Sequence, residues 1–472
     1  MKPQSLLAWF LVSAIAVSAG ACRRAPSAAE LAPAIREELA RITASAADPA
    51  VANDVQNAYN RRNASPMWVA DGQAKAVQAL AVIRTATEHG LHPADYGDME
   101  IESRLDRLQG QRDAEDPIGE LAQLDVMVTS AMFHLGHDVA LGRVKPGKLD
   151  ARWKHQRQAP DLVATLEQAS ATDLNTWLSA IRPRHPEYVA LQGELQKLRT
   201  AASSGDSSTP PDKTGLSVDA RIKLIEMNLE RWRWLPDDLG FIHILVNIPS
   251  YTLTARENGS MALTMRVIVG AADHSTPLFS GGMNSVVFSP YWNIPDSIVE
   301  GEIAAREARD PAYLKRNNID ILRVTGKGTE NVSPASVNWD DTDELKKLSF
   351  RQRPGVQNAL GHVKFMLPNP YDVYLHDTPA DALFAQPGRA LSHGCVRLER
   401  PEALATFVLR DQPEWDESQI RAAMRAEAEK PVALKKTIPV HIVYMTAWVD
   451  EAGAVQFGPD VYGHDAAQAK LE

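Results

Sequence analysis

The sequence changes its periodicity near the middle, and this change constrains the fold more than any other feature. From residue 28 to about 200 apolar residues recur at three- and four-residue steps, as in "LDVMVTSAMFHLGHDVALGRV", which is typical of a buried helix face. After the polar segment "AASSGDSSTPP", short β-branched and aromatic runs follow, such as "FIHILVNIP" and "MRVIVG". We therefore predict an α+β multidomain protein with a helical domain at 28–200, a linker at 201–215 and a β-rich mixed domain at 216–450.

One segment interrupts the series of predicted strands. Residues 296–361 are charged and less periodic, as expected for an inserted subdomain or lid. Residues 451–472 are predicted to form a C-terminal tail. A chain of 472 residues with 44% hydrophobic residues is too long for one core of ordinary size, which agrees with a division into several domains.

The charge of the chain argues against a polyanionic partner. The formal net charge is −10, and no dense block of Lys or Arg occurs in the sequence. Nucleic-acid binding depends on such clusters of positive charge. We therefore expect no nucleic acid among the partners.

A predicted helix, "DARIKLIEMNLERWRWLP", precedes the first strand and ends at Pro236. It contains Trp232 and Trp234, which allow two interpretations. They could contact a glycan, or they could pack against the following domain. Packing is the commoner role of such residues and is the interpretation that we prefer.

The first residues have the pattern of a secretory signal. Lys2 precedes an apolar run from Leu6 to Ala19, which is shorter than the roughly 20 residues that span a bilayer. Residues 1–21 are predicted to be a signal peptide. It would end either by ordinary cleavage after small residues or at a lipoprotein-like box, which would leave Cys22 lipidated and anchored to a membrane. Both alternatives predict an exported, periplasmic protein.

Export changes the meaning of the cysteine count. The chain has 2 cysteines, and oxidising compartments usually pair them. If Cys22 is lipidated or removed, Cys395 has no partner within the chain. A free thiol in an exported protein favours a reactive cysteine, and a buried inert cysteine is the alternative.

The run "YDVYLHD" has the alternation of a strand. A period of two places Tyr374 and His376 on one face and the apolar Val373 and Leu375 on the other. The apolar pair would face the core. Tyr374 and His376 would then point into a site on the opposite face, although a half-exposed strand with a solvated histidine has the same pattern.

The segment "SHGCVRLE" contains the cysteine and a second histidine. Gly394 allows a sharp turn before Cys395, so that consecutive backbone N–H groups could point at one oxygen and form an oxyanion hole. A cysteine needs a nearby base at neutral pH. His376 is the better base because a strand would hold it rigidly, whereas His393 more plausibly shapes the loop.

Two other arrangements are compatible with these residues. His376, His393 and Cys395 could bind zinc, but no Cys-x-x-Cys or His-x-x-His companion lies near this segment. Arg389 and Arg397 flank the thiol and could bind a substrate carboxylate with two hydrogen bonds each. Surface arginines are common, so this pattern is weakly specific.

A histidine followed at this distance by "SHGC" resembles the signature of the L,D-transpeptidase (YkuD-type) catalytic domain. The stretch "NALGHVKFMLPNPYDVYLHDTP" is similar to the larger YcbB-type members, and so are "YNRRNASPMWV" and "GLHPADY" in the helical half. The resemblance implies a helical scaffold domain followed by a catalytic domain. It also implies that the insertion at 296–361 is a capping subdomain.

The resemblance assigns roles to the residues of this segment. It implies that Cys395 is the nucleophile and that His376 is its proton donor and acceptor. The oxyanion hole would come from the backbone of His393, Gly394 and Cys395. The remaining implied site residues are Ser392 and Arg397, which would support the loop, and Tyr374, an active-site tyrosine.

The activity implied by the resemblance is a peptidoglycan L,D-transpeptidase that joins stem peptides by 3→3 cross-links through a cysteinyl thioester, without metal or organic cofactor. Hydrolysis of stem peptides at the same site, as by an L,D-carboxypeptidase, is an alternative. A cell-wall scaffold without catalysis is another. YcbB-type proteins commonly carry a peptidoglycan-binding module, and no segment of this sequence has its pattern.

Overall fold

The computed structural model describes residues 26–44, 48–70, 73–110, 116–155, 157–204, 214–326 and 328–471. The predicted signal peptide, Cys22 and most of the predicted linker lie outside these residues. No helix in the described ranges is long and apolar enough to cross a membrane.

Backbone contacts divide the chain into two compact units. The first, here called the helical unit, extends to Val82 and includes Gly97–Phe133. The second, the barrel unit, contains Ile83–Tyr96 and the chain from His134 onward. The helices before the first strand are α1 Ala28–Ala44, α2 Pro49–Arg61, α3 Ala74–Arg84, α4 Asp98–Gly110, α5 Pro117–Leu141, α6 Leu162–Ala171, α7 Trp177–Ile181, α8 Pro186–Ser203 and α9 Val218–Trp232.

The helical unit is organised around one buried carboxylate. Asp125 of α5 is completely buried and accepts hydrogen bonds from the hydroxyl of Tyr59, at 2.6 Å, and from the backbone N–H groups of residues 67–69, at 2.7 to 3.1 Å. Thr129, one turn further, accepts from the indole N–H of Trp68 at 2.8 Å. The carboxylate thereby fixes the irregular segment after α2, whose backbone groups would otherwise be buried without partners.

The second half of the chain consists mainly of strands, as the alternation predicted. They are β1 Ile242–Asn247, β2 Thr252–Glu257, β3 Ser260–Gly270, β4 Ser280–Phe288, β5 Trp292–Ile294, β6 Ile319–Thr325, β7 Gly328–Asn331, β8 Ser349–Gln352, β9 Val363–Met366, β10 Leu375–His376, β11 Ala390–Ser392, β12 Val396–Leu398, β13 Lys430–Val443, β14 Ala447–Val449 and β15 Val455–Phe457. The remaining helices are α10 Asp296–Ile298, α11 Ala304–Arg309, α12 Tyr313–Arg316, α13 Thr342–Leu345, α14 Pro401–Leu409, α15 Glu417–Met424 and α16 His464–Gln468. The order of helices first and strands second confirms the predicted fold class.

Nine strands form the main sheet, in the order β11-β3-β12-β10-β9-β4-β13-β1-β2. β3 also pairs with β2, which closes eight of these strands into a barrel. The interior is filled by apolar side chains that are fully buried, such as Val246, Leu253, Val267 and Phe365. A filled barrel is a rigid support for side chains on its outer surface.

The inserted segment folds into a subdomain with its own sheet, of order β5-β8-β6-β7. Its core includes Ile303, Leu314 and Phe350. A short π-helix, Val299–Ile303, joins α10 to α11. Asn358 fastens the subdomain to the barrel, because its amide donates at 3.0 Å to the carbonyl of Pro290, which lies between β4 and β5.

The predicted C-terminal tail is an ordered part of the barrel unit. It contains β15 and α16, and the side chain of Gln468 is completely buried. Its carbonyl accepts from Arg231 of α9 at 2.9 Å. Tyr462 donates to the carbonyl of Gly270, at the end of β3, at 2.7 Å.

Candidate active site

Two short parallel strands, β10 and β12, place four predicted site residues on one face of the barrel. Leu375 lies opposite Val396, and both side chains are fully buried in the core. Because successive side chains of a strand point to opposite faces, the residues on either side of this pair point to the outer surface. These residues are Tyr374, His376, Cys395 and Arg397.

His376 is buried, and a backbone carbonyl fixes its ring. Its Nδ1 lies 2.5 Å from the carbonyl oxygen of Asp377. Since a carbonyl can only accept, Nδ1 carries the proton and Nε2 is the basic atom. Burial and the positive charge of Arg397 lower the pKa of His376 to about 3. The imidazole is therefore neutral at pH 7 and can accept a proton.

The carboxylate of Asp377 holds this carbonyl in position. It accepts from the backbone N–H groups of His362 and Thr378, each at 2.7 Å. The adjacent Gly361 has φ +61, and a Cβ there would lie 2.3 Å from Cγ of Asp377. Only glycine leaves room for the carboxylate, so Gly361 indirectly sets the orientation of His376.

The thiol of Cys395 is surrounded by groups that act on its ionisation in opposite directions. Its Sγ lies 3.9 Å from the carbonyl oxygen of Asp372, a residue with φ +53. Burial raises the pKa of Cys395, whereas hydrogen bonding by Tyr374 and the charge of Arg397 lower it. The net direction is upward. The thiol is therefore protonated at neutral pH and needs a base in order to act.

Tyr374 and Arg397 complete this face. The rings of Tyr374 and His376 lie 5.7 Å apart, and burial raises the pKa of the Tyr374 phenol well above its usual value. Nε of Arg397 is buried and has no hydrogen-bond partner among the described residues. A largely buried guanidinium with an unused donor is suited to stabilise an anion such as a thiolate or a substrate carboxylate.

Ser392 closes the loop that carries Cys395. Its hydroxyl donates to the carbonyl of Cys395 at 2.5 Å and accepts from the N–H of Gly394 at 3.1 Å. Gly394 has φ +115, a conformation that other residues avoid. Its carbonyl accepts from Thr276 at 2.8 Å. Because the N–H of Gly394 bonds inside the loop, the N–H of Cys395 is the better candidate for binding an oxyanion.

His393 has surroundings quite different from those of His376. Its Nε2 lies 3.2 Å from Oε1 of Glu302 in the inserted subdomain, and its ring stacks on His274 with centroids 4.8 Å apart. His393 thus joins the loop to the subdomain. Among the described residues no three His, Cys, Asp or Glu side chains are grouped to hold a metal ion, so the zinc arrangement has no structural support.

Arg389 does not have the position that the sequence suggested. Its Nε and Nη2 donate to the carbonyls of Val267 and Tyr251, each at 3.2 Å. Its Nη1 donates to the carbonyl of Gln386 at 2.9 Å. The guanidinium therefore joins backbone segments. Among the described residues that line the cavity around Cys395, Arg389 is not present. The predicted grip on a substrate carboxylate is corrected accordingly.

A cavity of about 370 Å³ lies between the barrel face and the inserted subdomain. The barrel contributes Tyr374, His376, Ser392, His393, Cys395 and Arg397. The subdomain contributes residues that include Trp292, Glu302, Arg306, Tyr313 and Gln352. A substrate group that reaches the thiol would therefore be enclosed on both sides.

Several residues of this site were not found from the sequence. Asp377 directly follows His376, so its role as a hydrogen-bond acceptor had a local signal. Lys364 lies opposite His376 on β9 and helps to lower the pKa of this histidine. Thr276 reaches Gly394 from a segment 118 residues away. The contacts of Lys364 and Thr276 cannot be read from the local sequence pattern, because they depend on which distant segments lie side by side.

Two regions of the chain match models of known protein families. Residues 53–195 match the family model of a scaffold domain. Residues 242–442 match that of the L,D-transpeptidase catalytic domain. The second match contains the barrel face with Cys395 and the inserted subdomain.

Individual relatives agree over part of their length. A protein of Haemophilus influenzae, provisionally named an L,D-transpeptidase, is 32% identical over 303 residues, which are 63% of this chain and 59% of that protein. This chain thus spans less than two thirds of that relative.

Solved structures match part of this chain. L,D-transpeptidase 3 from Mycobacterium tuberculosis is 17% identical over 43% of this chain and 61% of its own, with a TM-score of 0.22. An L,D-transpeptidase from Mycobacterium smegmatis is 13% identical over 43% and 58%, with a TM-score of 0.21. Residues 242–442, which follow the region that is similar to a scaffold domain, are thus similar in sequence to the L,D-transpeptidase catalytic domain of the YkuD family.

Proposed function

We propose that this protein is a cysteine-dependent transferase, a peptidoglycan L,D-transpeptidase of YcbB type that forms 3→3 cross-links between stem peptides. One observation carries the proposal. A neutral His376, with Nε2 as its basic atom, shares an enclosed barrel face with the protonated thiol of Cys395. This is the ground state of a base and the nucleophile that it activates. The family match of residues 242–442 supports the same chemistry.

In the first half-reaction Nε2 of His376 takes the thiol proton as Sγ attacks the carbonyl carbon of the third residue of a donor tetrapeptide. The C–S bond forms, and the oxyanion would be stabilised by the N–H of Cys395 and the charge of Arg397. When the C–N bond breaks, the terminal D-alanine leaves with the proton that His376 returns. A thioester remains on Cys395.

In the second half-reaction the side-chain amine of an acceptor stem attacks the thioester. His376 accepts the proton of this amine, the new amide bond forms, and Sγ leaves and regains a proton from His376. His376 therefore accounts for every proton transferred in the two half-reactions. Tyr374 and the capping subdomain at 296–361 would exclude water so that the amine can compete with it.

The substrate implies where the protein acts. Peptidoglycan lies outside the cytoplasm, which agrees with the export predicted for residues 1–21. We propose a periplasmic location, where lipidation of Cys22 would anchor the protein to a membrane. The helical domain at 28–200 would serve as a scaffold for the catalytic domain at 216–450.

Incubation with purified disaccharide-tetrapeptide, followed by mass spectrometry, tests the function. Transfer produces dimers that have lost one alanine, whereas hydrolysis by the same site, as in an L,D-carboxypeptidase, produces only tripeptide. Cys395→Ala should abolish both products and any thioester adduct. Products that persist in this variant would contradict the mechanism, and a wild-type protein without any turnover would favour the non-catalytic scaffold.

A further inference from the structure

A second cavity, of about 430 Å³, lies on the outer surface of the barrel over β1, β2 and β3. It shares no lining residue with the cavity around Cys395. Its floor is the face of β1 and β2 opposite to the core, and its wall includes the ends of α8 and α9 and the β14–β15 hairpin. The reaction proposed above uses none of these residues.

Two tryptophans form part of the wall. Trp232 is 4% exposed, and its indole Nε1 is buried with no hydrogen-bond partner among the described residues. Trp448 is half-buried. The ring of Trp448 packs against Gly458, where a Cβ would lie 2.8 Å from the ring. The absence of a side chain at Gly458 therefore makes room for the indole in the cavity wall.

The floor contributes hydroxyl groups at regular spacing. Thr252 and Thr254 lie two positions apart on β2, so their side chains share the face that points away from the core. Thr264 lies opposite Thr254 on β3. Each hydroxyl can donate and accept a hydrogen bond. Apolar walls with a few such groups are the usual composition of small-ligand sites.

The charges around the cavity restrict the ligand. Arg256 is paired with Glu187 at 3.0 Å, which uses the positive charge of the site. Asp450 and Glu451 add negative charge to the rim. An anionic peptide or polyanion would be repelled, whereas an uncharged ligand would not be.

We propose that this cavity binds an uncharged sugar chain of the kind that forms glycan strands. The apolar face of a pyranose ring would stack on Trp448, and its hydroxyls would bond to the threonines. The biological source of the glycan rests on the proposed function, but the binding chemistry does not. The site would supply glycan binding in a chain whose sequence has no evident peptidoglycan-binding module.

Calorimetry with chitotetraose, an uncharged N-acetylglucosamine oligomer, tests the proposal. The titration uses the full chain carrying Cys395→Ala, so that its outcome is independent of turnover. We expect saturable binding that Trp448→Ala weakens about fivefold and that Trp448→Phe largely restores, because stacking contributes about 1 kcal/mol. Thr254→Val, which preserves side-chain shape, should weaken binding several-fold.

Trp292→Ala is the matched control, because this tryptophan lines the other cavity. It should leave chitotetraose binding unchanged. Thermal unfolding of each variant checks that the barrel unit is intact. No binding by the folded parent protein, equal binding by the Trp448 and Thr254 variants, or loss of binding in Trp292→Ala would each overturn the assignment. If the protein catalyses transpeptidation but does not bind the sugar, the proposed function stands and the sugar site is refuted. If it binds the sugar but does not catalyse transpeptidation, only the proposed function is refuted.

Discussion

The two units each contain a buried polar centre, and they differ in how completely its hydrogen bonds are satisfied. Around Asp125 in the helical unit, the carboxylate oxygens accept from a phenol and from three backbone N–H groups. Around Cys395 in the barrel unit, the thiol makes only a long contact, of 3.9 Å, with the carbonyl oxygen of Asp372, and Nε of Arg397 has no hydrogen-bond partner among the described residues. A saturated centre holds backbone in place, whereas an unsaturated one keeps donors and a nucleophile available for a ligand.

The same contrast separates the two cavities of the barrel unit from its packed interior. One residue in the wall of each cavity, Arg397 in one and Trp232 in the other, has a buried nitrogen without a hydrogen-bond partner among the described residues. Each unsatisfied group costs about 1 to 3 kcal/mol when it is buried. Substitutions in the saturated centre should therefore reduce stability, and those in the unsaturated centre should reduce activity.

The largest effect is expected at His376. His376→Gln removes the base of the proposed reaction and should lower kcat/KM about 100- to 10,000-fold, since positioned bases contribute this much. His393→Gln is the matched variant, because it loses a half-exposed contact with Glu302 and the stacking on His274 but no proposed base, and it should change kcat/KM by a few-fold at most. Steady-state kinetics with the tetrapeptide donor measures both. Equal losses would contradict the distinction between the two histidines.

The next effect is on stability, in the helical unit. Asp125→Ala leaves several buried donors without an acceptor and should destabilise this unit by about 3 kcal/mol. Urea unfolding followed by tryptophan fluorescence measures this, because Trp68 packs in the same network. Asp106→Ala, on an exposed position of α4, is the control and should be silent. A similar stability of both variants would show that the saturated centre is dispensable.

Gly361 sharpens the comparison by testing how the active site is oriented. Gly361→Ala brings a Cβ into the carboxylate of Asp377 and should displace the carbonyl that holds Nδ1 of His376. We expect kcat to fall about tenfold to a hundredfold, as small misplacements of catalytic groups do. Gly388→Ala is the control, because nothing lies within 4 Å of its added Cβ. A wild-type kcat for Gly361→Ala would contradict the role of Asp377.

The last prediction concerns the response of stability to acid. Burial lowers the pKa of His376 to about 3 and those of His441 and His464 to about 4. Because the unfolded chain protonates these groups near pH 6.5, the stability they contribute is complete above that pH. It is lost as pH falls toward 4, by about 1.4 kcal/mol per pH unit for each histidine.

Asp125 has the opposite sign. Burial raises its pKa, so the stability that it contributes is present at low pH and decreases as pH rises through the raised value. Urea unfolding at pH 7.5 and 5.0 should therefore show the barrel unit losing more stability in acid than the helical unit. The reverse order would contradict these pKa directions.

Much of the site could be predicted because its signals are local. The alternation in "YDVYLHD" assigned Tyr374 and His376 to one face, and the register of β10 with β12 places them there. Arg389 was misjudged because closeness to Cys395 in sequence does not indicate direction, and its donors turn to carbonyls of β3 and the segment before β2.

By itself the sequence determined the order of helices and strands, the inserted segment and the pairing of a free cysteine with a strand histidine, because periodicity and turn chemistry are properties of neighbouring residues. Only the tertiary structure decided which donors remain unsatisfied. Three features depend on how strands and helices that are distant in sequence pack together. They are the carbonyl that accepts from Nδ1 of His376, the Nε of Arg397 without a partner among the described residues, and the cavity beside Trp232. Whether a buried group finds a hydrogen-bond partner is decided by this packing.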